Sequence, residues 1–186
     1  MKNYEVINAN FREQGENTRY SAILSVPNTK VKNVSVVMKD DGEVVAYPPQ
    51  EKYTAKVDGQ DVVKYNRVVV FRDAKAMNAA ADALVKNPTS DIRLLPTPFD
   101  IKGGKRLGYA TLTGDVTLNV VVMAYKDGTK NLFIPREKYK DGDGNDQTII
   151  FVKPISGETN EEYTAEKEAL IDAIIAVATP AEEKGE

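Results

Sequence analysis

The 186-residue chain contains no cysteine, no histidine and no tryptophan. The lack of cysteine excludes disulfide bonds, thiolate catalysis and cysteine-ligated zinc. The lack of histidine removes the commonest general base and transition-metal ligand, and with them the Ser-His-Asp triad. Carboxylate or lysine chemistry remains open in principle, but this composition favours a protein that is not an enzyme. We therefore expect no catalytic residue, no metal site and no cofactor.

Long apolar runs are also missing. No stretch approaches the length needed to span a membrane, so we expect no membrane partner. The first residues, Met-Lys-Asn-Tyr-Glu-Val, lack the apolar segment of a secretory signal. Together these features predict a cytoplasmic protein.

Charge is unevenly distributed along the chain. The formal net charge is −3, yet residues 158–186 contain nine acidic residues against two lysines, a net charge of −7. The rest of the chain therefore carries +4. This pattern indicates an acidic final helix and tail attached to a mildly basic body.

The chain contains an internal duplication. Residues 119–139 align without a gap on residues 33–53, at an offset of 86, and nine of the 21 positions are identical. Ordinary amino-acid usage would give about one or two matches by chance. The identical residues in the first copy are Asn33, Val34, Val36, Asp41, Gly42, Pro49, Glu51, Lys52 and Tyr53. A repeat of this length predicts two related units, 1–88 and 89–180, followed by an acidic tail at 181–186 that we expect to be disordered.

Local signals place one helix at the end of each unit. Asp73 can cap a helix over Ala74–Lys86, and Thr159 with Glu162 forms a capping box before a helix over Asn160–Ala178. Asp-Gly pairs at 41–42 and 127–128 indicate tight hairpins between apolar strands. We further expect a turn at 27–29, a polar loop at 50–64 and a linker at 89–98, because these segments are rich in proline, glycine or polar residues.

The predicted fold class is α+β. Each unit would be a mostly antiparallel β-sheet followed by one C-terminal helix. One helix covers a single sheet face and leaves the strand edges open, so the two units would pair with each other. The expected arrangement is a pseudo-two-fold dimer within one chain, which leaves further self-association open.

The order of these motifs resembles the stage V sporulation protein G (SpoVG) family. The second copy carries the likeness best, with Asn-Val-Val-Val-Met at 119–123, Asn-Leu-Phe-Ile-Pro at 131–135, the Gly/Asp loop at 139–145 and Ile-Phe-Val-Lys-Pro-Ile at 150–155. The first copy retains 34–38, 44–49, Asp58-Gly59 and 70–73. The resemblance implies a small bacterial regulator that dimerises and binds nucleic acid, linked to sporulation and septation.

This chain departs from the family in two ways. Family members are usually single units, whereas this sequence contains two in tandem. The family is also similar in carrying basic residues around its closing helix and C-terminus, where this chain is acidic. No nucleic-acid-binding residue is therefore assigned to 160–186.

Basic residues interleaved with tyrosines form the candidate nucleic-acid surface. The nine candidates are Lys52, Tyr53 and Lys56 in the first copy, and Lys126, Lys130, Arg136, Lys138, Tyr139 and Lys140 in the second. Lysine and arginine can neutralise phosphates while tyrosine stacks on bases. The competing interpretation is that these lysines keep strand edges and loops soluble. Two functions therefore stay open: a regulator that binds DNA or RNA, and a protein interaction or scaffolding module without nucleic-acid binding.

The loop at 141–146 contains carboxylate or amide oxygens at the first, third and fifth positions of a calcium loop. Its sixth position is Asp146 instead of glycine, and its twelfth is Val152 instead of glutamate. The sequence therefore predicts a hairpin connection here and no metal site.

Overall fold

The computed structural model of the chain describes residues 3–179. The acidic tail predicted at 181–186 lies outside the described residues. Within residues 3–179 the fold is α+β, with mostly antiparallel strands and two helices, one of them at the C-terminal end. The elements are β1 (Glu5–Gln14), β2 (Asn17–Lys39), β3 (Val44–Tyr47), β4 (Gln50–Val57), β5 (Gln60–Arg67), β6 (Val69–Phe71), α1 (Ala74–Lys86), β7 (Ile92–Ile101), β8 (Gly104–Ala124), β9 (Lys130–Phe133), β10 (Arg136–Lys140), β11 (Asp146–Ile150) and α2 (Asn160–Ala178).

Two long strands form the centre of a seven-stranded sheet. Strands β2 and β8 pair antiparallel from Thr18↔Ala124 to Lys39↔Gly104. Strands β1 and β3 also pair with β2, while β7, β6 and β9 pair with β8. The hairpins β4–β5 and β10–β11 form separate two-stranded sheets.

The turn predicted at 27–29 is wrong, because β2 continues through it. Asn28 and Asn33 have positive φ angles of 45° and 61°, and the pairing with β8 shifts register beside each of them. These are β-bulges, in which asparagine tolerates the left-handed conformation and the ladder resumes afterwards. The Asn28 amide donates a 2.7 Å hydrogen bond to Asp115 Oδ1 on β8, which fixes the bulge against the neighbouring strand.

The polar loop predicted at 50–64 is also wrong. Residues 50–67 form the β4–β5 hairpin, closed by Asp58 and Gly59 with φ angles of 52° and 80°. Two successive positive φ angles are typical of a type I′ turn. Both faces of this hairpin are largely exposed, so the sequence lacks the alternation of apolar and polar residues that marks a half-buried strand.

The linker predicted at 89–98 is a strand over most of its length. Strand β7 pairs with β8 from Ile92↔Ala110 to Ile101↔Gly104. Its register shifts between Leu94 and Phe99, the segment that contains Pro96 and Pro98. Proline is tolerated at such an irregular outer strand because no ladder bond requires its missing N–H.

Both helices begin and end where the sequence predicts. The Asp73 side chain accepts a hydrogen bond from the Ala76 amide, and Thr159 with Glu162 makes the reciprocal capping box. Helix α1 buries Met77 and Ala81; helix α2 buries Leu170, Ile171 and Ile174. No helix among residues 3–179 is long and apolar enough to cross a membrane.

The closing segment of each sequence copy lies against the long strand of the other copy. Strand β6 of the first copy pairs with β8 through Val69↔Leu118 and Phe71↔Val116. The matching segment of the second copy contacts β2, where the Lys32 amide donates a 2.8 Å hydrogen bond to the Phe151 carbonyl. The closing segment of each sequence copy, a strand in the first and an irregular segment in the second, therefore contacts the long strand of the other.

One apolar core joins the two copies. It contains side chains from one face of β2 and β8 together with the inner faces of both helices. Its fully buried members include Leu24, Val36, Leu118, Leu170 and Ile174. Side chains alternate along a strand, so the remaining side chains of β2 and β8 point to the other face of the sheet. No helix of residues 3–179 packs on that face, which we call the helix-free face.

Candidate nucleic-acid interface

The helix-free face displays polar and aromatic side chains. On β2, Ser21 and Ile23 alternate with the buried Ala22 and Leu24, and on β8 Tyr109 precedes the buried Ala110. The hairpins β4–β5 and β10–β11 stand against this face. Two grooves result.

The larger groove, which we call the Tyr109 groove, has a volume of about 920 Å³. The side chains that define it are Asn33, Tyr47, Glu51, Lys52, Tyr65, Arg106, Tyr109, Arg136, Glu137 and Lys138. The smaller groove, the Ile23 groove, has a volume of about 480 Å³. It is defined by Arg19, Ile23, Glu51, Arg67, Asn119, Phe133 and Arg136.

Hydrogen bonds tie each hairpin to the central strands. Asn33 on β2 donates its side-chain N–H to Glu137 Oε2 on β10, at 2.5 Å. Asn119, its counterpart on β8, donates to the carbonyl of Arg67 at 3.4 Å. Glu51 and Arg136 line both grooves, so the hairpins separate the two.

Three of the nine predicted binding residues line the Tyr109 groove. Lys52 comes from the first copy, whereas Arg136 and Lys138 come from the second. Along β10, Arg136 and Lys138 alternate with Glu137 and Tyr139. The groove is therefore the place where basic residues of both copies meet.

The other six predicted residues do not line either groove. Three lysines make exposed ion pairs: Lys126 with Glu16 at 2.8 Å, Lys130 with Asp172 at 3.9 Å, and Lys140 with Asp146 at 3.0 Å. Exposed pairs of this kind contribute little to stability. The remaining three, Tyr53, Lys56 and Tyr139, are exposed on the hairpins.

Arg106 and Tyr109 are groove residues that the sequence did not predict. The guanidinium carbons of Arg106 and Arg93 lie 5.7 and 5.4 Å from the centre of the Tyr109 ring, within the range of cation–π attraction. Arg106 Nε is buried and has no hydrogen-bond acceptor among the described residues. Such an unpaired donor is uncommon in a folded protein.

A β-bulge brings Arg106 to the groove. Gly108 pairs with Val36 and Arg106 with Val37, so Leu107 is an extra residue on β8. An extra residue changes which face the following side chain points to, and bulges often re-aim a side chain in this way. The bulge therefore lets Arg106 and Tyr109 share the Tyr109 groove, although they are three residues apart.

The two grooves are lined mainly by basic side chains. Six basic residues line them, namely Arg19, Lys52, Arg67, Arg106, Arg136 and Lys138. Against them stand two carboxylates, Glu51 and Glu137, so the groove lining carries +4. Helix α2, with five acidic residues and one lysine, packs on the opposite face of the sheet. The acidic helix and the basic groove lining are therefore on opposite faces.

The acidic loop between β10 and β11 is closed by its own hydrogen bonds. Asp141 Oδ1 accepts 2.9 Å bonds from the amides of Asp143 and Asn145, while Gln147 donates to Oδ2 at 3.0 Å. The backbone bond from Asn145 and the side-chain bond from Gln147 hold the pKa of the Asp141 carboxyl below its usual value. Among residues 3–179 no group of three or more potential ligand side chains could hold a metal ion.

Compared with protein-family models, curated proteins and solved structures, the chain gives no significant match. The resemblance to the SpoVG family therefore stays a prediction. Function has to be inferred from the grooves and from the charges around them.

Proposed function

We propose that this chain is a non-enzymatic regulatory protein that binds DNA or RNA on its helix-free face. The observation that carries the proposal is the charge of the grooves: their lining carries +4 although the whole chain carries −3. A phosphate backbone is attracted to such a surface because it releases counterions on contact with lysine and arginine. The acidic helix α2 is no obstacle, since it lies across the sheet from the grooves.

The proposal includes a tandem, SpoVG-like architecture with pseudo-two-fold symmetry. Supporting it, β3 and β9 span residues 44–47 and 130–133, and the two helices begin at 74 and 160, all at the 86-residue offset of the duplication. The antiparallel pairing of β2 with β8 passes through Thr29↔Gly114, near equivalent positions of the two copies. The exchange of closing segments is what a two-fold relation would produce.

The cellular part of the proposal depends on the family resemblance. It comprises a cytoplasmic location and a role in sporulation and septation. Within such a process the proposed nucleic-acid binding would be regulatory and not catalytic. The chain lacks the histidine and cysteine side chains most used in catalysis.

A salt titration tests the binding. Fluorescence anisotropy with labelled single-stranded DNA, RNA and duplex DNA is expected to show binding at low salt. The logarithm of the binding constant should fall linearly with the logarithm of the salt concentration. Replacing Lys52 and Lys138 by glutamine should weaken binding and flatten that slope. The matched control replaces Lys75 and Lys86 on α1, which removes the same charge from the other face. Absence of binding at low salt would reject the proposal.

The second candidate is a protein interaction or scaffolding module. It is favoured by apolar side chains exposed on one face of the β4–β5 hairpin, where Val63 is 48% exposed and Tyr65 61%. Exposed apolar surface of this kind often marks a protein contact. A chain that binds no nucleic acid at low salt, yet loses a protein contact when Val63 is replaced by serine, would support this candidate.

A further inference from the structure

We propose that the Tyr109 groove is a nucleotide subsite for single strands, in which Arg106 binds a phosphate and the tyrosines beside it stack on unpaired bases. This inference rests on the proposed function, because it specifies the ligand of the same face. Two points go beyond the charge distribution. The bound nucleic acid is single-stranded, and the Tyr109 groove binds it better than the Ile23 groove does.

Arg106 is the cation that would bind the phosphate. It lines the groove, and its buried Nε has no hydrogen-bond acceptor among residues 3–179. A guanidinium presents a planar fork of donors that matches phosphate oxygens. The guanidinium carbons of Arg93 and Arg106 both lie within 5.7 Å of the centre of the Tyr109 ring, so two cations flank one ring. A phosphate bound by Arg106 would bring a negative charge to this pair of cations.

Exposed aromatic rings line the groove beside its cations. Tyr65 is 61% exposed and Tyr47 is 46% exposed, although both line the groove. Tyr65 is the cross-strand partner of Lys52 on the β4–β5 hairpin, so a ring and a cation stand side by side. Aromatic rings stack on bases that are not already stacked in a duplex. Rings beside phosphate-binding cations therefore favour a single strand.

The Ile23 groove differs from the Tyr109 groove at equivalent positions. At the 86-residue offset Ile23 occupies the position of Tyr109, and Tyr20 that of Arg106. The register of β2 is regular from Thr18 to Val26, so Tyr20 packs toward the core instead of the groove. The Ile23 groove keeps one ring, Phe133 at the position of Tyr47, but has no counterpart of the Tyr109 ring or of the re-aimed arginine. We expect one nucleotide subsite per chain.

The test measures binding of a labelled 12-nucleotide oligothymidylate, the RNA counterpart and a duplex of equal length to the full chain. Tyr65→Ala should weaken single-strand binding about ten-fold, the usual effect of removing one stacking ring. Arg106→Gln should weaken it as well and reduce the salt slope by about 0.7, the value for one phosphate on a single strand. Matched controls on the helix-bearing side are Tyr163→Ala on α2 and Lys75→Gln on α1, which should leave affinity unchanged.

The outcomes separate the two proposals. No binding by the unaltered chain at low salt rejects the proposed function itself. If Tyr65→Ala and Arg106→Gln bind as well as the control variants, the nucleotide subsite is overturned while the proposed function stands. The same conclusion follows if the duplex binds as tightly as the single strand. If tripolyphosphate competes with the oligonucleotide and Tyr65→Ala has no effect, the groove is an anion site only. That result also overturns the nucleotide subsite. Should Arg106→Gln fail to fold by circular dichroism, the exposed Tyr65→Ala variant decides.

Discussion

The Tyr109 groove and the Ile23 groove are built from the same parts but differ in chemistry. Asn33 and Asn119 occupy equivalent places, and the hairpins β4–β5 and β10–β11 begin directly after the equivalent Pro49 and Pro135. Yet the Tyr109 groove has about twice the volume and contains three tyrosines. The two grooves therefore share their backbone frame and differ in the side chains that fill them.

The difference begins in the backbone. A single extra residue, Leu107, turns Arg106 toward the Tyr109 groove, whereas the corresponding part of β2 has a regular register. The bulges of β2 lie elsewhere, beside Asn28 and Asn33. Equivalent strands thus carry their irregularities at different places, and a bulge decides which side chains meet.

The largest expected effect comes from separating the two copies. Residues 1–88 and 89–186 produced alone should not fold as monomers, because β6 loses its partner β8 and the segment at Phe151 loses β2. Mixing them should restore the native circular dichroism spectrum as the strands pair. Sedimentation of each half as a folded monomer with a cooperative melt would contradict this.

A smaller effect is expected from exchanging Gly108 and Ala22, which are equivalent positions. A Cβ on Gly108 would lie 2.3 Å from the carbonyl oxygen of Arg93, a backbone atom that cannot move without disturbing the β7–β8 ladder. Gly108→Ala should therefore destabilise the fold by about 1–3 kcal/mol. Ala22→Gly should cost about 0.5–1 kcal/mol through backbone entropy. Urea denaturation measures both, and equal losses would show that the two strands are less different than their registers indicate.

The next prediction concerns the side chains at positions 109 and 23, which are equivalent in the two grooves. Tyr109→Ile should lower single-strand affinity about ten-fold, since it removes a ring beside two guanidinium groups. The reciprocal Ile23→Tyr should add no second site, because position 20 still points to the core. Titration calorimetry gives affinity and stoichiometry together. Two strands bound by Ile23→Tyr would mean that the ring alone makes the subsite.

The smallest effect concerns the turns of the two hairpins. The β4–β5 turn has two residues, whereas the β10–β11 loop is held by Asp141, whose pKa is lowered. Because the pKa of Asp141 is lower in the folded loop, its ionised carboxylate stabilises the loop fully at pH values above the ordinary pKa of 3.8. This stabilisation is lost as the pH falls through the lowered pKa of the folded state. The amide signals of Asp143 and Asn145 in NMR spectra should shift in that acidic window. Asp141→Ala is the control, and a midpoint at or above 3.8 would contradict the prediction.

Local features were predictable from the sequence, and features that depend on pairing were not. The caps at Asp73 and Thr159 act within four residues, so both helix ranges follow from the sequence. The continuity of β2 through Pro27 depends on β8 running beside it, which no local pattern contains. The same holds for the site: Lys52 and Lys138 stand out as basic repeats, while Arg106 reaches the groove only through a bulge opposite β2.

The exchange of closing segments also bears on how such a chain could arise. A single-copy ancestor with this exchange could not complete its own sheet, so it would have worked as two identical molecules with two identical grooves. Joining the copies through residues 87–91 makes their meeting independent of concentration. If the chain arose in this way, one inserted residue could alter one groove and leave the other unchanged, which two identical molecules could not do.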